Sequence, residues 1–155
     1  MRGKLGRVDE VAGDGEMSDL VHLGGCLCGS IRYRIDSEIR PVIACHCVQC
    51  RIGSGHFFAA TACEKSALVI DGDVRWYALS DHARRGFCPT CGAFLFWQRT
   101  TGKQISIAAG TLDPPSSLKL VAHIYIEEKG DYYEIDDGVP QHRGFQGLDR
   151  PPLNE

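Results

Sequence analysis

Residues 67–79, ALVIDGDVRWYAL, decide the fold class. Leu68 and Ile70 stand two apart before Asp71-Gly72, and Val74 and Trp76 stand two apart after it. A spacing of two places side chains on one face of a strand, and Asp-Gly supplies the residues that a tight hairpin turn needs. The stretch therefore reads as a β-hairpin. Working outward, SIRYRI (30–35) puts Ile31, Tyr33 and Ile35 on one face and Ser30, Arg32 and Arg34 on the other, the pattern of a half-buried strand. AFLFWQ (93–98), KQISIAAG (103–110), AHIYIEE (122–128) and YYEI (132–135) continue the series, rich in the aromatic and β-branched residues that strands favour. Pro114-Pro115 and Gly130-Asp131 mark loops. No long stretch has a convincing helical period. The expected fold is all-β, one domain of short antiparallel strands.

The chain of 155 residues suits a single core. Its 43% hydrophobic and 24% charged residues are ordinary for a globular protein. A net charge of -3 offers no basic surface for a phosphate backbone, so nucleic acid is not an expected partner. No apolar run is long enough for a signal-peptide core or for the roughly 20 residues of a membrane span. The protein is expected in the cytoplasm, away from membranes. Residues 1–20 lack any sustained period and read as a mobile leader, within which Met17 is a possible natural start. The ordered domain is expected over 21–147, followed by a frayed tail over 148–155.

Eight cysteines in a reducing compartment suggest metal sites or redox chemistry rather than disulfides. Seven fall into three groups: Cys26-Leu-Cys28, Cys45-His-Cys47-Val-Gln-Cys50, and Cys88-Pro-Thr-Cys91. On an extended strand each Cys-X-Cys can chelate from one face. Cys88 and Cys91 can do so only across a tight turn, for which Pro89 presets its φ and Gly92 tolerates positive φ; this is a zinc-knuckle signature. Joining Cys26 and Cys28 to Cys88 and Cys91 gives four thiolates, the complement of a closed structural zinc site. Cys45, Cys47 and Cys50 are then left as three, the ligand number of a catalytic zinc with one open position. Three rival readings stand beside this one: buried core cysteines, a thioredoxin-like redox pair at Cys88 and Cys91, and His46 as a fourth ligand closing the middle site.

GGCLCGSIRY (24–33), CHCVQCRIGSGHFFAA (45–60), RGFCPTCGAFL (85–95), AAGTLD (108–113) and DDGVPQH (136–142) resemble, in order, the blocks of the glutathione-dependent formaldehyde-activating enzyme and centromere protein V family. The resemblance implies a zinc-binding β-tent and two zinc ions per chain. It implies a structural zinc on Cys26, Cys28, Cys88 and Cys91, and a second, catalytic zinc on Cys45, Cys47 and Cys50. The activity it implies is that of a carbon–sulfur lyase run in reverse, joining formaldehyde to the thiol of glutathione or a similar small thiol. The centromere-associated relatives imply the alternative, a non-enzymatic zinc-stabilised module with a protein partner.

Arg51 follows the middle cluster, where it either binds a substrate carboxylate or offsets thiolate charge. Arg84 and Arg85 are expected in a solvated surface or hairpin role, with a substrate anion as the alternative. His22, His56, His82, His123 and His142 have no ligand spacing among themselves and read as surface or core residues, with His56 the most open to a role because it follows a glycine turn. Cys63 reads as a buried apolar residue. Without a His-X-Glu, the zinc deaminase pattern is absent.

Overall fold

The computed structural model describes residues 20–145, so the leader over 1–20, residue 20 apart, and the tail over 148–155 lie outside the described residues. Among the described residues, ten strands form two sheets. Strands β1 (Val21–Gly25), β2 (Arg32–Asp36) and β5 (Leu68–Asp71) make the smaller one, in the order β1-β2-β5. The larger holds β3 (Val42–Cys45), β4 (Phe58–Glu64), β6 (Arg75–Ala78), β7 (Ala83–Phe87), β8 (Phe94–Arg99), β9 (Gln104–Ala108) and β10 (Leu120–Ile124). Its order is β10-β3-β4-β9-β8-β7-β6, antiparallel throughout except for the parallel pair β10 and β3. One short helix, α1 (Val48–Ser54), follows β3.

The all-β reading matches this architecture, and β2 shows why. Tyr33 and Ile35 are buried and Arg32, Arg34 and Asp36 exposed, so the period-2 pattern maps directly onto one apolar face. That face packs on the larger sheet. Tyr33 meets Phe96 edge to face with ring centroids 5.5 Å apart, in a core shared with Ile31, Ile35, Leu95, Ile105 and Ile107. Full burial of each such side chain contributes roughly 1.5–3 kcal/mol.

The hairpin expected over 67–79 does not form. Leu68–Asp71 pairs with β2, whereas Arg75–Ala78 pairs with β7, so Asp71-Gly72 carries the chain from one sheet to the other. Gly72 has φ +107°, and a Cβ there would lie 2.2 Å from the carbonyl oxygen of Ser30. The turn chemistry is as read. Its partner is the loop after β1 rather than the next strand. The strand expected at YYEI is also absent: Tyr132–Ile135 runs through a turn and irregular backbone.

Candidate metal centres

Two clusters of thiols can hold metal ions: Cys26, Cys28, Cys88 and Cys91 in one, and Cys45, Cys47 and Cys50 in the other, with the sulfurs of each within 4.8 Å of one another. The first cluster lies between the sheets. Cys26 and Cys28 sit in the β1–β2 loop, a turn rather than the extended strand anticipated from their spacing. The turn is closed by Gly29 N–H on Cys26 O at 3.3 Å. Cys88 and Cys91 sit in the β7–β8 loop, where Gly92 takes φ +75° and its N–H reaches Cys88 O at 2.9 Å. Cys26 to Cys28 and Cys28 to Cys88 are 3.5 and 3.7 Å between sulfurs. A tetrahedron of sulfurs about 2.3 Å from zinc has edges of about 3.8 Å, so the donor set fits that ion. Ser30 Oγ approaches Cys28 Sγ at 3.0 Å and Cys88 Sγ at 3.3 Å, and its hydrogen bond is the main cause that lowers the Cys88 thiol to about 5.

The second cluster is assembled from one continuous stretch. Cys45 ends β3, Cys47 is the N-cap of α1, and Cys50 is buried in its first turn. Cys47 Sγ accepts from the backbone N–H of Cys50 at 3.4 Å, the capping geometry that side-chain acceptors use. A hydrogen bond from Cys45 is the largest cause holding the Cys47 thiol down to about 2. Its counterpart pushes Cys45 up to about 12, and Cys50 is raised as well, first through Cys45. Three thiols this close cannot all ionise without a counter-charge, which a bound cation would supply. Phe58 and Phe94, stacked 4.2 Å apart, wall the cluster together with Ala60, Ala108 and Trp97.

His46 takes no part in that cluster. It is fully buried and turned away, with Nδ1 on the Tyr133 hydroxyl and Nε2 2.9 Å from His123 Nδ1. His123 Nε2 in turn meets Asp137 Oδ2 at 2.8 Å. The carboxylate can only accept, so His123 carries its proton on Nε2, His46 on Nε2, and Tyr133 donates to His46. Burial is the first cause that lowers the His46 imidazole to about 4 and keeps it neutral. His56 Nδ1 bonds the Tyr132 hydroxyl at 2.6 Å, and His46, His56, Phe57, Tyr132 and Tyr133 pack ring against ring. Thus YYEI, anticipated as a strand, belongs instead to a strap that docks both tyrosines on histidines beside the cysteines. The strap also grips α1 directly: Glu128 Oε2 accepts from Val48 N–H at 2.8 Å, and Glu128 O from Arg51 Nε at 2.9 Å. Spacing along the chain could not reveal this network, because its members meet only through the β3–β10 pairing and the strap.

The remaining residues fall as follows. Arg84 lies over Trp76 at 4.2 Å, and Arg85 lies over Phe94 at 4.7 Å and donates to Gln49 O at 2.8 Å. Both lie on β7, which pairs antiparallel with β6 and β8, the hairpin placement anticipated. Cys63 is fully buried, and burial pushes its thiol up to about 12, consistent with an inert core residue. His22, His82 and His142 join neither thiol cluster. No helix among the described residues is long and apolar enough to cross a membrane.

A family model described as glutathione-dependent formaldehyde-activating enzyme matches residues 21–128. A relative described as an uncharacterized lyase of Schizosaccharomyces pombe is 33% identical over 114 residues, which is 72% of this chain and 83% of that protein. A solved structure of a Rhodobacter sphaeroides protein is 22% identical with a TM-score of 0.51, over 59% of this chain and 88% of the other; it shows a shared fold. The family model's match takes in all seven clustered cysteines, and with the identity to the yeast relative it shows that the chain belongs to the glutathione-dependent formaldehyde-activating enzyme family.

Proposed function

We propose that the chain is a zinc-dependent carbon–sulfur lyase acting on a small thiol, glutathione or a similar molecule, and a small aldehyde such as formaldehyde. In this reading Cys26, Cys28, Cys88 and Cys91 hold a structural zinc, and Cys45, Cys47 and Cys50 hold a catalytic one. The observation that carries it is the cluster of three converging thiols from which the adjacent His46 is withdrawn. A zinc ion bound by three thiolates supplies Lewis acidity at one open position.

The protein's own residues account for the rest. Cys45 and Cys47 are fixed by the end of β3 and the cap of α1, so the site is formed before substrate arrives. Phe58, Phe94, Ala60 and Ala108 form an apolar wall that excludes water from one side. Holding the thiol and aldehyde together replaces a bimolecular encounter. In the reaction the thiol sulfur bonds to the aldehyde carbon, the carbonyl π pair moves to oxygen, and the proton lost from sulfur ends on that oxygen. No oxidant or reductant is needed.

The test is metal content together with the rate of adduct formation, followed by NMR exchange between formaldehyde and glutathione. Two zinc ions per chain and acceleration above the spontaneous rate are expected. Cys47→Ser should hold one zinc and lose the acceleration, by about a hundredfold or more, since even outer residues around metal sites commonly matter 10–100-fold. Two bound zinc ions without acceleration would instead favour the non-enzymatic interaction module.

A further inference from the structure

We propose that the outer face of the seven-stranded sheet binds the body of the thiol substrate and that Arg85 anchors its carboxylate, making the site selective for anionic thiols. The thiol identity rests on the function proposed above. The placement of Arg85 does not.

Directly opposed residues of antiparallel strands point to the same face. Ala62 opposes Ser106, Ser106 opposes Trp97, Trp97 opposes Arg85, and Arg85 opposes Tyr77. These side chains form one row across β4, β9, β8, β7 and β6, buried at Ala62 and accessible from Ser106 to Tyr77, where a cation lies between two aromatics. The row passes beside the three thiols at its middle, where Trp97 packs in the same cluster as Cys45, Cys47 and Cys50.

Arg85 is held in place within that row. Its guanidinium lies between the Phe94 ring and Gly53, where a Cβ would come within 2.3 Å of it. One nitrogen donates to the carbonyl of Gln49, the residue before Cys50. Its Nε is buried without an acceptor, a condition rare enough in folded proteins to call for an explanation. Among the described residues no carboxylate pairs with Arg85. The result is an oriented positive charge without a carboxylate partner, one residue from a proposed metal-ligating thiol. A planar guanidinium matches a carboxylate in charge and in geometry. An extended tripeptide spans about 10 Å, enough to bring a terminal carboxylate to Arg85 with its thiol at the cysteines. A bond to Gln49 alone would need only one donor.

The experiment compares glutathione with its diethyl ester, in which both carboxylates are masked, binding each to the zinc-loaded protein by calorimetry. The wild type should favour the acid, and Arg85→Gln should weaken glutathione about tenfold or more while changing ester affinity less than twofold, with zinc content unchanged. Arg85→Lys, keeping charge but not the planar fork, should recover only part of the loss. Equal wild-type affinity for acid and ester, or equal losses for both in Arg85→Gln, would overturn the anchor and leave the thiol reading standing. Failure of the wild type to bind either ligand would overturn both.

Discussion

The two cysteine clusters use the same ligand atoms in opposite ways. The four-cysteine cluster draws one pair from a loop of the small sheet and the other from a loop of the large sheet, so it exists only when the sheets are docked. The three-cysteine cluster comes from six consecutive residues at a strand end and a helix cap. A metal in the first ties distant parts of the chain and supplies folding free energy. A metal in the second rests on local geometry that the fold has already set. In the proposed reading, ligand number and sequence separation divide structural from chemical work between otherwise similar thiols.

The largest effect should come from Cys88→Ser, which removes a fully buried ligand from the tie between sheets. A loss above about 4 kcal/mol is expected, seen in calorimetry as loss of the cooperative transition. Cys50→Ser should release one metal and lower the melting temperature by only a few degrees. Equal melting losses in both variants would break the division.

Next comes acid sensitivity on the side of the three-cysteine cluster. The folded state holds the His46 imidazole at about 4, against an ordinary value of about 6.5. Its contribution is therefore present above pH 6.5 and is lost as pH falls from 6.5 toward 4, where the unfolded chain binds the proton and the folded chain refuses it. The cost at pH 4 is up to about 3 kcal/mol. Urea titrations across that window should show a steeper pH slope for wild type than for His46→Gln; identical slopes would remove the neutral buried imidazole from the account.

Gly72→Ala should cost about 2 kcal/mol, through its positive φ and its approach to Ser30 O. Because Ser30 contacts Cys28 and Cys88, this substitution should also ease zinc removal from the four-cysteine site alone, as chelator titration would show. The smallest effect is that of Tyr133→Phe. Deleting its hydrogen bond to His46 should cost about 1 kcal/mol and leave zinc content intact; a lost zinc would mean that the strap holds the ligands more directly than the contacts suggest.

Much of the design was legible in local spacing. The alternation in SIRYRI reported a strand and its buried face, and the seven clustered cysteines divided four and three as their spacing suggested. What local spacing cannot carry is pairing. ALVIDGDVRWYAL holds two strands and a glycine turn, yet the strands belong to different sheets, because Ser30 and β2, distant in sequence, compete successfully for β5. Helix α1 has seven residues, too few for its period to emerge, and it owes its start to a cysteine cap rather than to the usual Ser, Thr, Asp or Asn. Tyr132 and Tyr133 read as strand by propensity but are claimed by His56 and His46, an instance of tertiary contacts overriding a weak local preference.

The approach of Cys28 to Cys88, 3.7 Å between sulfurs across a sequence separation of 60, also has a meaning in polymer terms. A metal joining those two residues is a reversible cross-link that closes a loop of about sixty residues in the unfolded chain, and in the chain-entropy treatment such a closure disfavours the unfolded ensemble by roughly 4 kcal/mol. The short loop from Cys45 to Cys50 yields only about half of that. With the proposed zinc bound, a turn and a knuckle would supply the effect of a disulfide, in a form that a thiol reductant does not undo and that a chelator does.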